Sequence, residues 1–436
     1  MIGTRLGGLS PQPWKDVTAP GGWSWSLPLT IQMRGRRARV KPGWAIDGAA
    51  PTGKAYYVKT TGSDGYTGLS WAQAFRKIST ALAQADVDVV YVEAGYYGRV
   101  GGGAVSLGTR SVSIIASGGR AVMSQDHELT SWTHVSNHYE RALALHCGVV
   151  TDASNKDTYG DYQVLTRVAD AATVDATPGS WWWNGSSTIY VRTFDDRAPD
   201  TNIHCYFGGQ APFYLVGDNK IIYAENIDVE GGKICADLKN SSATGGTSCY
   251  FNTCSFKYNA DQHTPNPDNA VNIRGVDAYF KDCWGSKTSI DLFNYTARNT
   301  VNARGIEINC QAWDLGVLST SQTAANGSSC HNSCAAVRIG CTYSRTYGPV
   351  ISDINTSQGW TVCCIVKDSL SGGAVSTKFG LGTPGGGASS QWFDTCEVQG
   401  GVSYELYNGG GGSTVYSKNL QPSIPPLGNF GSITAY

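Results

Sequence analysis

Four short segments of this 436-residue chain each set one carboxylate or amide among apolar neighbours. They are ICADL with Asp237, AVNIR with Asn272, SIDLF with Asp291 and VISDI with Asp353. In each, the polar residue is followed by a hydrophobic one that would turn inward on a strand. If successive segments stack as neighbouring strands, Asp237 and Asp291 stand about 9.6 Å apart with Asn272 between them. That spacing is near the upper end for two carboxylates that hydrolyse a glycosidic bond with inversion, where room is left for a water. One carboxyl must then hold its proton near neutral pH while the other stays ionised. Asp291, preceded by Ile290 and followed by Leu292 and Phe293, is the more desolvated and so the acid. Glu307, on the strand after Asp291, is an alternative partner, and Lys281, Arg274, Arg304 and Arg338 would suit an acidic sugar. The plain alternative is that Asp and Asn at such positions only satisfy backbone donors.

A repeat must bring these distant residues together. The stretch YFKDC, ending at Cys283, has partners in YFNTC at Cys254, IEINC at Cys310, VRIGC at Cys341, TVCC at Cys364 and WFDTC at Cys396, with YAENI placing Ile227 at the same position. Successive intervals are 27, 29, 27, 31, 23 and 32 residues, too regular for chance and too variable for a helical repeat of fixed length. Each copy reads as a short apolar strand and a turn. Most are followed by a second short strand bounded by Gly, Asn, Ser or Thr. No segment between 220 and 420 carries a helical period. Strand, turn, strand, loop at this spacing describes a coil of parallel β-structure whose loops absorb the differences in length.

The cysteines then fall at one register and stack inside the coil as small buried side chains. Their number, 13, is odd, which fits free thiols better than a disulfide framework. Metal binding has candidates in Cys330-His331 with Cys334, Cys363-Cys364 and His204-Cys205. None has the paired CxxC spacing of a zinc site, so neither a metal nor another cofactor is expected.

Composition agrees with a β-rich chain: 54 Gly, 13 Trp and 23 Tyr against 15% charged residues imply many tight turns and broad aromatic faces. No run of 18 apolar residues exists, so no membrane insertion is expected. The N-terminus has no apolar signal-peptide core, which implies synthesis in the cytoplasm.

Residues 56–97 supply a strand, a GSDGYTG turn, an amphipathic helix expected from about Trp71 to Ala83, with Phe75, Ile78 and Leu82 on one face, and a buried strand DVVYVEAG. Such a helix can seal the open first turn of a solenoid. This order, with the repeats that follow, resembles right-handed parallel β-helix proteins of the pectate-lyase-like group. The resemblance implies an all-β, single-stranded right-handed parallel β-helix with an N-terminal capping helix and a small β insertion. It also implies that a substrate would lie along the outer face of the sheets. It fixes no reaction, since the fold hosts lyases, hydrolases and adhesins. The calcium-binding carboxylate cluster and basic residue of pectate lyases find no residue-by-residue match here, which makes a hydrolase the more natural enzyme.

The expected layout is an attachment segment at 1–54, the cap and first rungs at 55–129, a β-rich insertion at 130–212, rungs at 213–420 and a tail at 421–436. The insertion contains Trp181-Trp182-Trp183, the turn Asn184-Gly185 and a strand from Thr188 to Thr193, a β-hairpin in which Trp182 is a candidate sugar platform. The first fifty residues carry a charge of +5 against about −6 for the rest, most of it in MRGRRARVK, with Trp14, Trp23, Trp25 and Trp44 interleaved. The acidic body and the lack of a recognised motif argue against nucleic acid. A separable N-terminal anchor, a β-helix body and no signal peptide resemble the layout of bacteriophage tailspikes and related virion spikes. That resemblance implies a homotrimer in the virion, binding other virion proteins through residues 1–54, and a bacterial surface polysaccharide as partner. The alternatives are a non-catalytic adhesive or structural virion protein and a free polysaccharide lyase or hydrolase.

Overall fold

A computed structural model describes residues 12–419 apart from 99–104, 108–109, 128, 210, 264–266, 320–323, 371–378, 384–386, 401–403 and 411, and beyond them strands at 428–429 and 432–435. The chain coils into the expected single-stranded right-handed parallel β-helix. Each rung has three strands. The first sheet runs through Ile221–Glu225, Ser248–Asn252, Asp277–Lys281, Arg304–Ile308, Ala335–Ile339, Gln358–Val362, Ser390–Asp394 and Thr414–Lys418. The second begins at or immediately after each ladder position, at Ile227–Glu230, Ser255–Lys257, Trp284–Thr288, Gln311–Leu315, Thr342–Thr346, Ile365–Ser369 and Glu397–Gln399. The third contains Phe213–Val216, Ala236–Lys239, Val271–Arg274, Phe293–Thr296, Ser328–Cys330 and Ile351–Asp353. The second strand of each rung is invisible as such in the sequence, where it merges with the turn.

One residue makes the corner between the first and second sheets. Asn226, Thr253, Asp282, Asn309, Gly340, Cys363, Thr395 and Asn419 all have φ between 50° and 65°. A left-handed residue at this corner of each rung reverses the pleat and turns the chain, and Asn, Asp and Gly tolerate that region best. The next residue points inward, which is why Cys254, Cys283, Cys310, Cys341, Cys364 and Cys396 stack. All 13 cysteines are free and buried, and burial raises the thiol pKa of Cys235, Cys249 and Cys396.

The cap contains a shorter helix than expected. Trp71–Gln73 is a 3-10 turn and only Ile78–Leu82 is α-helical, while Phe75 bridges Val58 as extended chain. Phe75 and Ile78 are still buried in the main core, so the apolar face survives without the helical length. The insertion forms two antiparallel-rich sheets, with the hairpin Ser180–Trp183 and Thr188–Arg192 in one of them. Trp181 and Trp183 are buried and Trp182 is half-buried against Tyr190, ring centres 4.9 Å apart.

Residues 12–50 do not stand away from the body. A three-stranded sheet (Lys15–Asp16, Ile31–Arg34, Arg37–Val40) and the flanking chain lie on the outer face of the first sheet. There Leu29, Ile31 and Ile46 pack with the outward side chains Tyr279, Ile306, Ile308, Val337, Ile339, Trp360, Val362 and Trp392. Trp23 touches both Trp360 and Trp392, at 6.1 and 5.9 Å between ring centres. Ser24 bonds the Gln358 side chain at 2.7 Å, and Arg36 pairs with Glu397.

Candidate functional site

The predicted column is only partly formed. On the third sheet Asp237, Asn272, Asn294, Ser329 and Ser352 share one register and face outward. Asp237 is closed by Lys239 at 3.1 Å and by the Arg274 guanidinium. Asn272 accepts from the Asn269 amide at 2.9 Å and donates to Asp268 at 2.8 Å. Asp291 lies before its strand, three residues upstream of Asn294, and not in the column. Its carboxylate accepts from the Ser329 hydroxyl at 2.5 Å and from the Asn326 backbone N–H at 2.7 Å. Burial pushes that carboxyl up to about 6 against the pull of these bonds, the desolvation its neighbours predict. The Asp291 carboxylate is bracketed by Asn294 and Ser329, two and three rungs from Asp237, about 10–14 Å along the axis, which is at or beyond the widest separation that suits one glycosidic bond.

Asp353 is one position out of register with the column and therefore on the other face. It aligns with Cys330 and points into the coil, where it takes two bonds from Arg338, at 2.7 and 2.9 Å. Glu307 is also inside, in register with Phe280 and Arg338, and fully buried. Its carboxyl accepts from Ser328 at 2.6 Å, from Tyr295 at 3.0 Å and from Tyr343. Burial is the largest influence and brings Glu307 to about 7. Glu307 cannot serve an outer groove. Room for this polar plug comes from glycines: a Cβ at Gly305 would meet the Tyr295 ring at 2.0 Å, and one at Gly359 the Asp353 carboxylate at 1.9 Å.

The cations expected to hold an acidic sugar are spoken for. Arg274 pairs with Asp237, Arg338 with Asp353, Arg304 with Asp277 at 2.6 Å, and Lys281 lies 3.8 Å from Asp282. Arg304 also lies over the Trp25 ring at 5.5 Å, toward the N-terminal layer.

A groove does exist, on the second sheet. A cavity of about 300 Å³ is lined by Asp282, Trp284, Asn309, Gln311 and Trp313 with Cys283 beneath. The strands Trp284–Thr288 and Gln311–Leu315 pair with Trp284 opposite Gln311 and Ser286 opposite Trp313, so the two indoles lie diagonally on adjacent rungs. Asp282 and Asn309 are corner residues whose left-handed backbone accompanies an outward side chain, and the Asn309 amide donates to Asp282 at 3.2 Å. Arg120 lies 4.3 Å over Trp284 while forking onto Asp228 at 2.6 and 2.8 Å. Tyr159 of the insertion stacks on Trp313, and Asp161 accepts from the Trp313 N–H at 2.7 Å.

Around this groove the charges are matched. Lys257 meets Asp161 at 2.7 Å; Lys287 meets Asp157 at 2.8 Å and Asp314 at 2.6 Å; Arg345 also takes Asp314. Burial opposes the Lys287 charge, but its bonds to the two aspartates outweigh that and raise its pKa. Farther under the insertion, Glu230 accepts from the Tyr206 hydroxyl at 2.9 Å. Burial pushes Glu230 to about 7, and Tyr206, Tyr258 and Tyr162 stack beside it. Among the described residues no group of three or more His, Cys, Asp or Glu is arranged to hold a metal ion. Indole faces with planar amide and carboxylate edges suit the apolar face and vicinal hydroxyls of a pyranose. The sequence signal was there, in the Trp-x-x of CWGS and CQAWDL, but those residues were read as turn.

No protein-family model and no curated protein matches the chain. Among solved structures it is similar to a glycoside hydrolase, at 9% identity and TM-score 0.49 over 86% of this chain and 97% of that one. It is also similar to pectate lyase Pel9A, at 12% and 0.41 over 88% and 81%, and to the tailspike protein gp49 from Pseudomonas phage LKA1, at 13% and 0.22 over 81% and 75%. At such identities the likeness concerns the fold alone.

Proposed function

We propose that the protein binds a bacterial surface polysaccharide along the outer face of the second sheet, as a spike of a phage or prophage virion. The carrying observation is the groove in which Trp284 and Trp313, on successive rungs, flank Gln311, Asn309 and Asp282. Rungs repeat about every 4.8 Å, close to the rise of one sugar unit in an extended chain, so a polymer can follow the coil axis with one rung per residue. The virion setting rests on the layout read in the sequence, and a homotrimer with partners at residues 1–54 belongs to the same proposal. Binding rather than cleavage is the favoured activity, because of the carboxylates read as catalytic Asp237 is closed by Lys239 and Arg274, Asp291 is buried at the wide end of the useful separation, and Glu307 lies inside the coil. The test is incubation with capsule and lipopolysaccharide from candidate hosts, reading retention, new reducing ends and the ultraviolet absorbance of unsaturated products. Retention without either product supports the binder; new ends would restore a depolymerase. No retention by any surface glycan would sink the reading. Antibody detection of the protein in purified particles checks the virion setting.

A further inference from the structure

We infer that the second-sheet groove selects a neutral glycan and discriminates against uronate-bearing or otherwise anionic ones. This rests on the carbohydrate reading of the groove and goes beyond it. A site for acidic sugar needs a cation whose charge is available, usually an Arg or Lys that can fork onto the carboxylate. Here each cation beside the indoles already has its anion, and Lys281 at the rim, the most loosely held and the most exposed, stands 3.8 Å from the Asp282 carboxylate. Arg120 is held by Asp228, Lys257 by Asp161, and Lys287 and Arg345 by Asp314, with Asp157 adding a second carboxylate on Lys287. An incoming carboxylate would have to displace one of these or sit beside it, and either costs affinity. Among the described residues the outward lysine on this sheet outside these pairs is Lys367, two rungs past Trp313, about 9.6 Å along the axis. What the groove itself offers is uncharged or anionic: the Gln311 and Asn309 amides, the Asp282 carboxylate and the two indoles. Asp282 and Gln311 accept from and donate to hydroxyls.

The pairing also suggests how to reverse the selectivity. Asp314 has φ 54°, a backbone conformation that Asn accepts as readily as Asp. Asp314→Asn keeps the left-handed backbone of the strand while leaving Lys287 with one carboxylate and Arg345 with none in this cluster. The experiment measures retention of the full-length protein on an immobilised panel of neutral polysaccharides and of polygalacturonate, alginate and hyaluronan, at low and high salt. Parent, Asp314→Asn and Trp313→Ala proteins are compared, with circular dichroism and melting confirming that each is folded. Expected is retention by at least one neutral polymer, little changed by salt and weakened at least tenfold in Trp313→Ala, together with salt-sensitive uronate retention that appears only in Asp314→Asn. Uronate retention by the parent that is lost in Trp313→Ala would overturn neutral selectivity while leaving the carbohydrate reading intact. Retention by no member of the panel would overturn both. A folded Asp314→Asn protein that gains no uronate binding would overturn the claim that charge matching sets the preference.

Discussion

The outer faces of the first and second sheets are made by the same rungs, a corner apart, yet they behave oppositely. The first presents Ile306, Ile308, Val337, Ile339, Trp360 and Val362, and residues 12–50 roof it over. The second presents Trp284, Gln311 and Trp313 among paired charges and leaves a groove open. Tryptophan occurs on both. What differs is the company it keeps: aliphatic neighbours on one face create a surface that must be covered, while amides and ion pairs on the other make a surface that stays wet and accepts a ligand.

The sharpest way to break the contrast is to remove the roof. A chain starting at residue 51 exposes the whole apolar strip, and the expected result is insoluble or unfolded protein. A soluble truncation with unchanged circular dichroism and melting temperature would show the layer to be the separable anchor that composition alone suggests. Next is the polar plug inside the coil. Arg338→Ala strands Asp353 and Glu307 without their cation in a dry interior, and should cost about 3–5 kcal/mol in denaturant unfolding. A loss under about 1 kcal/mol would mean that water reaches the plug.

Two tryptophans then divide the faces directly. Trp360→Ala should lower stability by about 3–5 kcal/mol, with cavity formation beneath Trp23. Trp313→Ala, partly exposed but bonded to buried Asp161, should cost less, about 1–2 kcal/mol, and weaken glycan retention at least tenfold. Equal stability losses would erase the distinction. The smallest effect is in pH. Glu307 goes from an ordinary value of 4.5 to about 7 on folding. Between those values the folded chain keeps a proton that the unfolded chain has released, so this group's contribution to stability falls as pH rises through the window. Glu307→Gln removes that dependence, and the variant should gain on the parent as pH goes from 5 to 8, measured as the difference in unfolding free energy. A constant difference would mean that Glu307 is charged throughout.

The sequence carries the coil clearly, because the residue after each left-handed corner must be small and apolar and is so often Cys. It carries the site poorly. Asp237 and Asn272 stack as expected, yet Asp291 precedes its strand and Asp353 is one residue out of phase, which suffices to put it inside. Glu307 was misplaced for another reason: in GIEIN the apolar residues face outward, because a distant segment of chain covers them, and alternation alone cannot tell a core from a roofed surface. The second strands were hidden because they follow the corner with no intervening loop, so that WGSKT and QAWDL look like turn. The groove was missed with them.

Ser24 finds Gln358 across 334 residues of chain, and time is the dimension in which that matters. Residues 12–50 are synthesised before the rungs they cover, and their partners include residues from Tyr250 to Trp392, so the strip can be fully seated only when the later of these rungs exist. Unwinding the coil from its later rungs requires lifting the strip as well, so the strip is expected to add to the barrier against unfolding, which unfolding rates with and without the Ser24–Gln358 bond would measure.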